Sequence, residues 1–458
     1  MKHKLPHSTP NDDRAIWPRL RRNLSISVLG SGFAVVIRFG QTILLTRYLA
    51  IDDYGRVLIV LNFFVFLDSF FGLRVSDVMF RFFQPLLEHD EHRTLRHFLL
   101  FCFKVCLVSG VLIYLGVFVL SPWLASWFYS SAELSPLFKV YGLTILVSAF
   151  SGIYEPVLRM HDRFSGVVVP QLLGGLTTLT ILFIYLGTTG RTPYDLRIIV
   201  AAFAIGGLLQ TIPPFIQSLR LLRPLIAQAT TSTDVQTPPD YRRDLFRCLF
   251  NSNLSGYLKF AVSPGDVFLL GIFSSPTQVA LYGLAKQLTS PLALLQTTIQ
   301  TAITPEITTL IARSKLRELQ QLVKRYVTSA LAIGGVLLLC AVIIGRLLIL
   351  HAFDPQYESA LPVFYCLAVA AWLLLVFLVF RPLALTLDLL PWHNAALLLS
   401  AIIVVSLIIA GRLDALRLAY VQLAEALVLR FAFSLVVWKA LRDRSGNVTT
   451  LLRRHPVG

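Results

Sequence analysis

Residues 323–345 read VKRYVTSALAIGGVLLLCAVIIG, and from Tyr326 to Gly345 the stretch carries no charge. A bilayer core about 30 Å thick is crossed by about 20 apolar residues in a helix, so this run alone is long enough to span one. Similar runs recur from residue 24 to residue 438, separated by short polar interruptions. Of the 458 residues 55% are hydrophobic and 14% charged, a composition that the surface of a soluble chain of this size does not tolerate. Backbone groups inside a bilayer must pair within their own segment or within a closed barrel. No alternating pattern of about 10 residues per segment appears, which leaves helices. The chain is therefore expected to be an all-α polytopic membrane protein with 12 transmembrane helices.

The expected spans are 24–46, 57–79, 97–119, 137–158, 165–187, 196–218, 246–273, 279–303, 323–345, 360–380, 395–411 and 418–438. On the side of the termini the connecting segments hold 27 Lys and Arg, against 7 on the other side. That asymmetry predicts cytoplasmic termini. The net charge of +16 then reads as an orientation signal and an attraction to anionic headgroups, scattered over too many loops to form a nucleic-acid face. The polar start MKHKLPHSTPNDDRAIWPRLRRN has no small-residue cleavage site after the first apolar run and reads as an N-terminal arm, 1–23.

The longest polar interruption, RLLRPLIAQATTSTDVQTPPDYRRDLFR at 220–247, divides the spans into two sets of six. The expected organisation is a lobe at 24–219, a cytoplasmic linker at 220–245, a second lobe at 246–438 and a cytoplasmic tail at 439–458. Aligning Tyr54-Gly55 with Tyr282-Gly283 relates the lobes as a parallel repeat and sets Arg38 opposite Asp266. The outer loops are short, the longest being SPWLASWFYSSAELSP at 121–136, read as an aromatic interfacial anchor. Five cysteines (Cys102, Cys106, Cys248, Cys340, Cys366) lie mostly within apolar runs and suggest no disulfide framework.

Ionisable groups within spans are costly, about 2.5–3.5 kcal/mol each at a helix centre, and belong against one another or in a wet cavity. Arg74, Asp77 and Arg81 form one local ladder, and Glu155 with Arg159 an i, i+4 pair. Lys139 and Lys104 lie within snorkelling reach of an interface. Glu425 and Arg430 share no helical neighbour spacing and call for partners elsewhere. Arg38, Asp68, Lys259, Asp266 and Lys286 have no opposite charge within three or four residues. If spans 1, 2, 7 and 8 meet, these five converge on one aqueous pocket with a net charge of plus one, suited to a phosphate. Arg38, Lys259 and Lys286 would bind the anion, with Asp68 and Asp266 balancing charge or coupling an ion, and Arg74, Lys104 and Arg430 as secondary candidates. Pro264-Gly265 beside Asp266 predicts a kinked or unwound span 7 lining a cavity. The alternative is a packing kink with Asp266 paired to Arg38. No phosphate loop, nucleophile elbow or metal-ligand pair of His is present in the sequence, so no cofactor, metal or catalytic residue is expected; the HDEHRTLRH turn at 89–97 reads as a solvated loop.

The stretch LLTRYLAIDDYGRVLIVLNFFVFLDSFFGLRVSDVMFRFF, 44–83, with its TRYLAIDDYG turn and Gly72-Leu73 step, resembles the opening of the polysaccharide transporter family. The stretch 266–307, with Asp266, Leu270-Gly271, Tyr282-Gly283, Ala285 and Pro305, resembles that family's seventh and eighth helices. These are O-antigen and exopolysaccharide repeat-unit flippases (Wzx-type) of the multidrug/oligosaccharidyl-lipid/polysaccharide (MOP) superfamily. The resemblance implies two six-helix lobes around a cationic central cavity and alternating access. It also implies an undecaprenyl-pyrophosphate-linked oligosaccharide carried outward across the bacterial inner membrane, coupling to a proton or sodium gradient, and other polysaccharide-assembly proteins as partners beside membrane lipids. The rival readings are a MATE-like multidrug antiporter, whose cavity would be acidic and aromatic, and a membrane glycan polymerase or ligase, which would need a large outer loop.

Overall fold

The computed structural model describes residues 13–71, 75–88, 92–129, 135–161, 163–189, 194–228, 265–312, 315–380, 405–411 and 413–446, with a few isolated positions between them. Every regular element among these residues is helical. The first bundle comprises α1 (Asp13–Tyr48), α2 (Ile51–Phe71), α3 (Val75–Glu88), α4 (His92–Tyr129), α5 (Ser135–Ser148), α6 (Ser151–Met160), α7 (Ser165–Thr189) and α8 (Leu196–Gln228). The second comprises α9 (Gly265–Phe273), α10 (Pro276–Ala312), α11 (Leu316–His351), a 3-10 turn (Pro355–Ala360), α12 (Leu361–Val376), α13 (Ala415–Ala424), a π-turn (Glu425–Leu429) and α14 (Arg430–Gly446).

Seven helices among the described residues are long and apolar enough to cross a bilayer, or eight when the α5–α6 pair, bent by 41°, is taken as one span. Much of the expected span 246–273, and part of 395–411, lies outside the described residues. The lipid-facing surface is plain from exposure: Phe33 and Val36 on α1, Leu112 and Val119 on α4, and Ile333, Leu339 and Ile344 on α11 are each more than half exposed. A continuous apolar belt of this kind is stable only against acyl chains.

Local structure departs from the sequence reading in two places, while the expected span 57–79 is helical on both sides of residues 72–74, which lie outside the described residues. The expected outer loop 121–136 is helical through Tyr129, because α4 carries Pro122 inside it and continues. Within that segment Trp123 is exposed, as an interfacial aromatic should be. Near the C-terminus the helix widens to a π-turn at Glu425–Leu429, with consequences for charge pairing given below.

Burial explains how the two bundles join. One core cluster is shared: Leu45, Tyr54 and Val57 of the first bundle pack with Val279, Tyr282, Ala285, Tyr357 and Phe364 of the second. It lies at the end of the bundles where α1 turns into α2. Toward the other end the described residues form separate cores, one within the first bundle around Phe83, Leu95 and Leu222 and one within the second around Leu310, Leu319 and Leu441. At the shared end α2 lies directly on α10. A Cβ on Gly55 would sit 2.0 Å from the Pro276 carbonyl oxygen, so only glycine permits this approach. Polar groups close the same seam: Thr277 Oγ1 donates to Asp52, and Gln356 accepts from Ile51 N at 3.2 Å and donates to the Leu49 carbonyl at 3.3 Å. Edge-on packing of Tyr54 and Tyr357 and stacking of Phe66 on Phe268 at 4.0 Å fill the apolar part.

Candidate functional site

Beneath this seam a cavity of about 280 Å³ opens between α1, α2, α5, α7 and α8, with α10 of the second bundle as its remaining wall. Its polar lining is Arg38, Gln41, Thr42, Gln171, Thr178, Gln210 and Gln287 with the rims of Tyr54 and Tyr141. Among the described residues that line it there is one cation, Arg38, and no carboxylate. Close helix packing forms its floor: a Cβ on Gly174 would lie 2.3 Å from the Gly206 carbonyl oxygen, so α7 and α8 touch backbone to backbone there.

The donors in this cavity outnumber what the protein uses. Gln41 Nε2 donates to the Gly175 carbonyl at 2.9 Å, which ties α1 to α7 and fixes that amide. Gln287 Nε2 is buried and has no acceptor among the described residues. Arg38 side chain, exposed within the opening, likewise has no ion pair or hydrogen-bond acceptor among them. A buried donor without a partner calls for an explanation, and a guanidinium beside surplus amide donors is the arrangement that receives phosphate or sugar oxygens.

The second bundle gives Asp266 its own set of partners. The carboxylate lies in the first turn of α9, is almost fully buried, and is saturated with donors. Lys286 Nζ reaches both of its oxygens at 2.6 and 2.8 Å, Tyr282 OH donates at 2.8 Å, Gln422 Nε2 at 2.9 Å and the Val267 N–H at 2.8 Å. One network thus links α9, α10 and α13. Asp266 pairs with Lys286 and not with Arg38, which corrects the alternative in which Arg38 was its partner. Lys286 is correspondingly neutralised, although its side chain remains 39% exposed.

The other candidates divide plainly. Lys259, Arg74 and Pro264 lie outside the described residues, as do the side chains of Asp77 and Arg81, while Gly265 is the buried first residue of α9. Asp68 on α2 and Lys104 on α4 are exposed and have no partner among the described residues. Lys139 sits over the Phe118 ring at 4.8 Å, and Arg159 holds Glu155 at 2.9 Å. Glu425 and Arg430 pair with each other, Nη2 to Oε1 at 3.2 Å, which corrects the expectation of partners elsewhere. The π-turn supplies the reason: its wider winding makes i and i+5 neighbours. No group of three or more His, Cys, Asp or Glu among the described residues could hold a metal.

Sequence reasoning from charge alone missed Gln41, Gln171, Gln210 and Gln287. The available signal was four amides placed within apolar spans, each a polar group that a lipid-facing position would not bear.

A family model described as Polysaccharide biosynthesis protein matches residues 44–362. The chain belongs to that family. No curated protein sequence matches the chain. Among solved structures, the family member is similar to the lipid II flippase MurJ in an inward closed conformation, with 13% identity, a TM-score of 0.63, and 92% of this chain and 89% of that one covered. It is similar to a MOP superfamily transporter from Pyrococcus furiosus whose binding pocket is described as of reverse polarity, at 14% identity, TM-score 0.59, covering 93% and 96%. It is also similar to an inward-facing multidrug resistance transporter of the MATE family at 15% identity, TM-score 0.57, covering 91% and 96%. The polysaccharide biosynthesis protein therefore has the MOP-transporter fold, and it is a multi-pass membrane protein.

Proposed function

We propose that this polysaccharide biosynthesis protein is a flippase that carries undecaprenyl-pyrophosphate-linked oligosaccharide across the bacterial inner membrane, for O-antigen or exopolysaccharide synthesis. The observation that carries the reading is the cavity with an unpaired Arg38, surplus amide donors and no carboxylate among its described lining residues. Arg38 receives the diphosphate, and the amides of Gln287, Gln171 and Gln210 address sugar or phosphate oxygens. The two bundles act as lobes at 24–219 and 246–438 joined through 220–245, and the termini face the cytoplasm. The shared core at the far end then closes the periplasmic side, and separation of the lobes toward the termini gives the cytoplasmic leaflet access.

The Asp266–Lys286 pair is the element through which a coupling cation or proton acts, by competing with the lysine for the carboxylate. A ligand shifts such an equilibrium only by its differential affinity for the two arrangements. Substrate at Arg38 and a cation at Asp266 would do so from opposite bundles. A multidrug antiporter for organic cations fits less well, since its cavity needs acidic groups where this one has a cation.

Deleting the gene and replacing it with Arg38→Glu or Arg38→Lys tests the reading. The deletion and Arg38→Glu are expected to accumulate lipid-linked glycan on the cytoplasmic leaflet, with Arg38→Lys partly restoring export. Normal export by Arg38→Glu at wild-type protein levels would overturn it.

A further inference from the structure

A second cavity lies on the opposite side of the α7–α8 pair from the Arg38 pocket. This groove of about 510 Å³ is lined on α7 by Ser165, Val169, Pro170 and Leu173, and on α8 by Leu209, Pro213 and Gln217, with Arg163 at its rim. Its origin is in the sequence. The helices touch backbone to backbone at Gly174 and Gly206. Beyond that crossing, Pro170 and Pro213 each remove a helical hydrogen bond and set a ring against the preceding turn, which keeps the pair from closing. Val169, Leu173 and Leu209 are 49%, 50% and 39% exposed, so the groove walls are apolar and without a protein partner among the described residues.

Charge is confined to one end. Arg163 precedes α7, and Arg220 continues the Leu209–Pro213–Gln217 stripe one turn further along α8. Both are exposed and neither has an ion-pair partner among the described residues. Glu155, on the adjoining α6, is taken by Arg159, and Asp162 lies outside the described residues. Apolar walls a few turns long, ending in two guanidiniums without an ion pair among the described residues, with a serine hydroxyl and an amide, match a lipid with an anionic head. Basic pockets between spans on the cytoplasmic side take such lipids.

We infer that the α7–α8 groove is a binding site for one anionic phospholipid, its phosphate at Arg163 and Arg220 and an acyl chain along Val169, Leu173 and Leu209. The occupant is a bilayer phospholipid and not the tail of the transported glycolipid. The Gly174–Gly206 contact stands between the groove and the Arg38 cavity, so a headgroup in that cavity cannot extend its chain through the helix pair.

Binding of phosphatidylglycerol and of phosphatidylcholine with identical chains, measured on the purified full-length chain in neutral detergent by native mass spectrometry, tests this. Each arginine near a headgroup contributes about 1 kcal/mol, or about fivefold in affinity. Phosphatidylglycerol is therefore expected to bind at least about fivefold more tightly. The double variant Arg163→Gln/Arg220→Gln should abolish the preference and leave phosphatidylcholine binding unchanged. Leu173→Trp, which fills the groove without altering charge, should weaken both lipids in a chain whose Tm shows it folded. Equal binding of the two lipids, a preference surviving the double variant, or a preference lost in Arg38→Gln would each overturn the inference. So would stronger retention of undecaprenyl phosphate than of phosphatidylglycerol, lost in Leu173→Trp, which would give the groove to the substrate's tail. No glycan is present in the assay, so its failure leaves the transport reading to its own test.

Discussion

Gly55→Ala is the sharpest perturbation the seam offers. The added methyl carbon would lie 2.0 Å from the Pro276 carbonyl oxygen, where ordinary contact begins at 3.4 Å. The methyl is fixed rigidly to the α2 backbone and its neighbour is a backbone oxygen of α10, so no side-chain rotation relieves the overlap, and α2 must move away from α10 by more than 1 Å. Overpacking of this kind costs about 1–3 kcal/mol. Because the overlap exists only while the bundles are joined at this end, the cost falls on the joined arrangement. Its population relative to the separated one should drop about 5- to 150-fold. Ala280, fully buried in the shared core and one turn beyond Pro276 on α10, is the reporter site. In a background with the five native cysteines replaced, Ala280→Cys should react with a membrane-impermeant maleimide added outside intact cells at least several-fold faster when Gly55→Ala is present. Equal labelling rates, with both proteins folded and in the membrane, would refute the seam as a movable contact.

Other expectations follow from the polar networks. Lys286→Met leaves a nearly buried carboxylate with three donors remaining, and should lower stability by about 2 kcal/mol, below the usual cost of breaking a fully buried pair because the lysine is 39% exposed. Asp266→Asn should cost less than half as much, and adding it to Lys286→Met should recover stability; Tm in detergent checks both. Gln287→Met removes a buried donor that has no acceptor among the described residues, so it should hold or raise Tm, relieving up to about 1–3 kcal/mol, while export measured in cells falls. Glu425→Gln should weaken the link to Arg430 across the π-turn and lower Tm modestly, with export reduced no more than the protein level.

The helical membrane class was legible because hydrocarbon leaves a backbone few options, and runs such as 323–345 need no partner to be read. What was not legible depended on tertiary detail. Glu425 and Arg430 looked unrelated because ordinary helical winding brings i+3 and i+4 together, and nothing in EALVL signals a π-turn. Residues 121–129 looked like an outer loop beyond the expected span 97–119, yet α4 runs through Pro122 to Tyr129, a proline near a helix end being tolerated within a packed bundle. Arg38 was found from its depth in a span, whereas the pairing of Asp266 with Lys286 required knowing that α9 and α10 lie side by side. The repeat alignment sets Arg38 and Asp266 at corresponding positions, and the structure gives them opposite circumstances. One is a cation in a cavity with no partner among the described residues; the other is a saturated anion.

The central claim is that Arg38 is an open seat for a diphosphate, and equilibrium binding tests it most directly. A soluble short-chain isoprenyl diphosphate, titrated against the purified protein in detergent, should bind the wild type at least about tenfold more tightly than Arg38→Gln, as loss of a charge-assisted contact of about 1.5–3 kcal/mol requires, and Lys104→Gln should match the wild type. Equal affinity of wild type and Arg38→Gln would contradict the account.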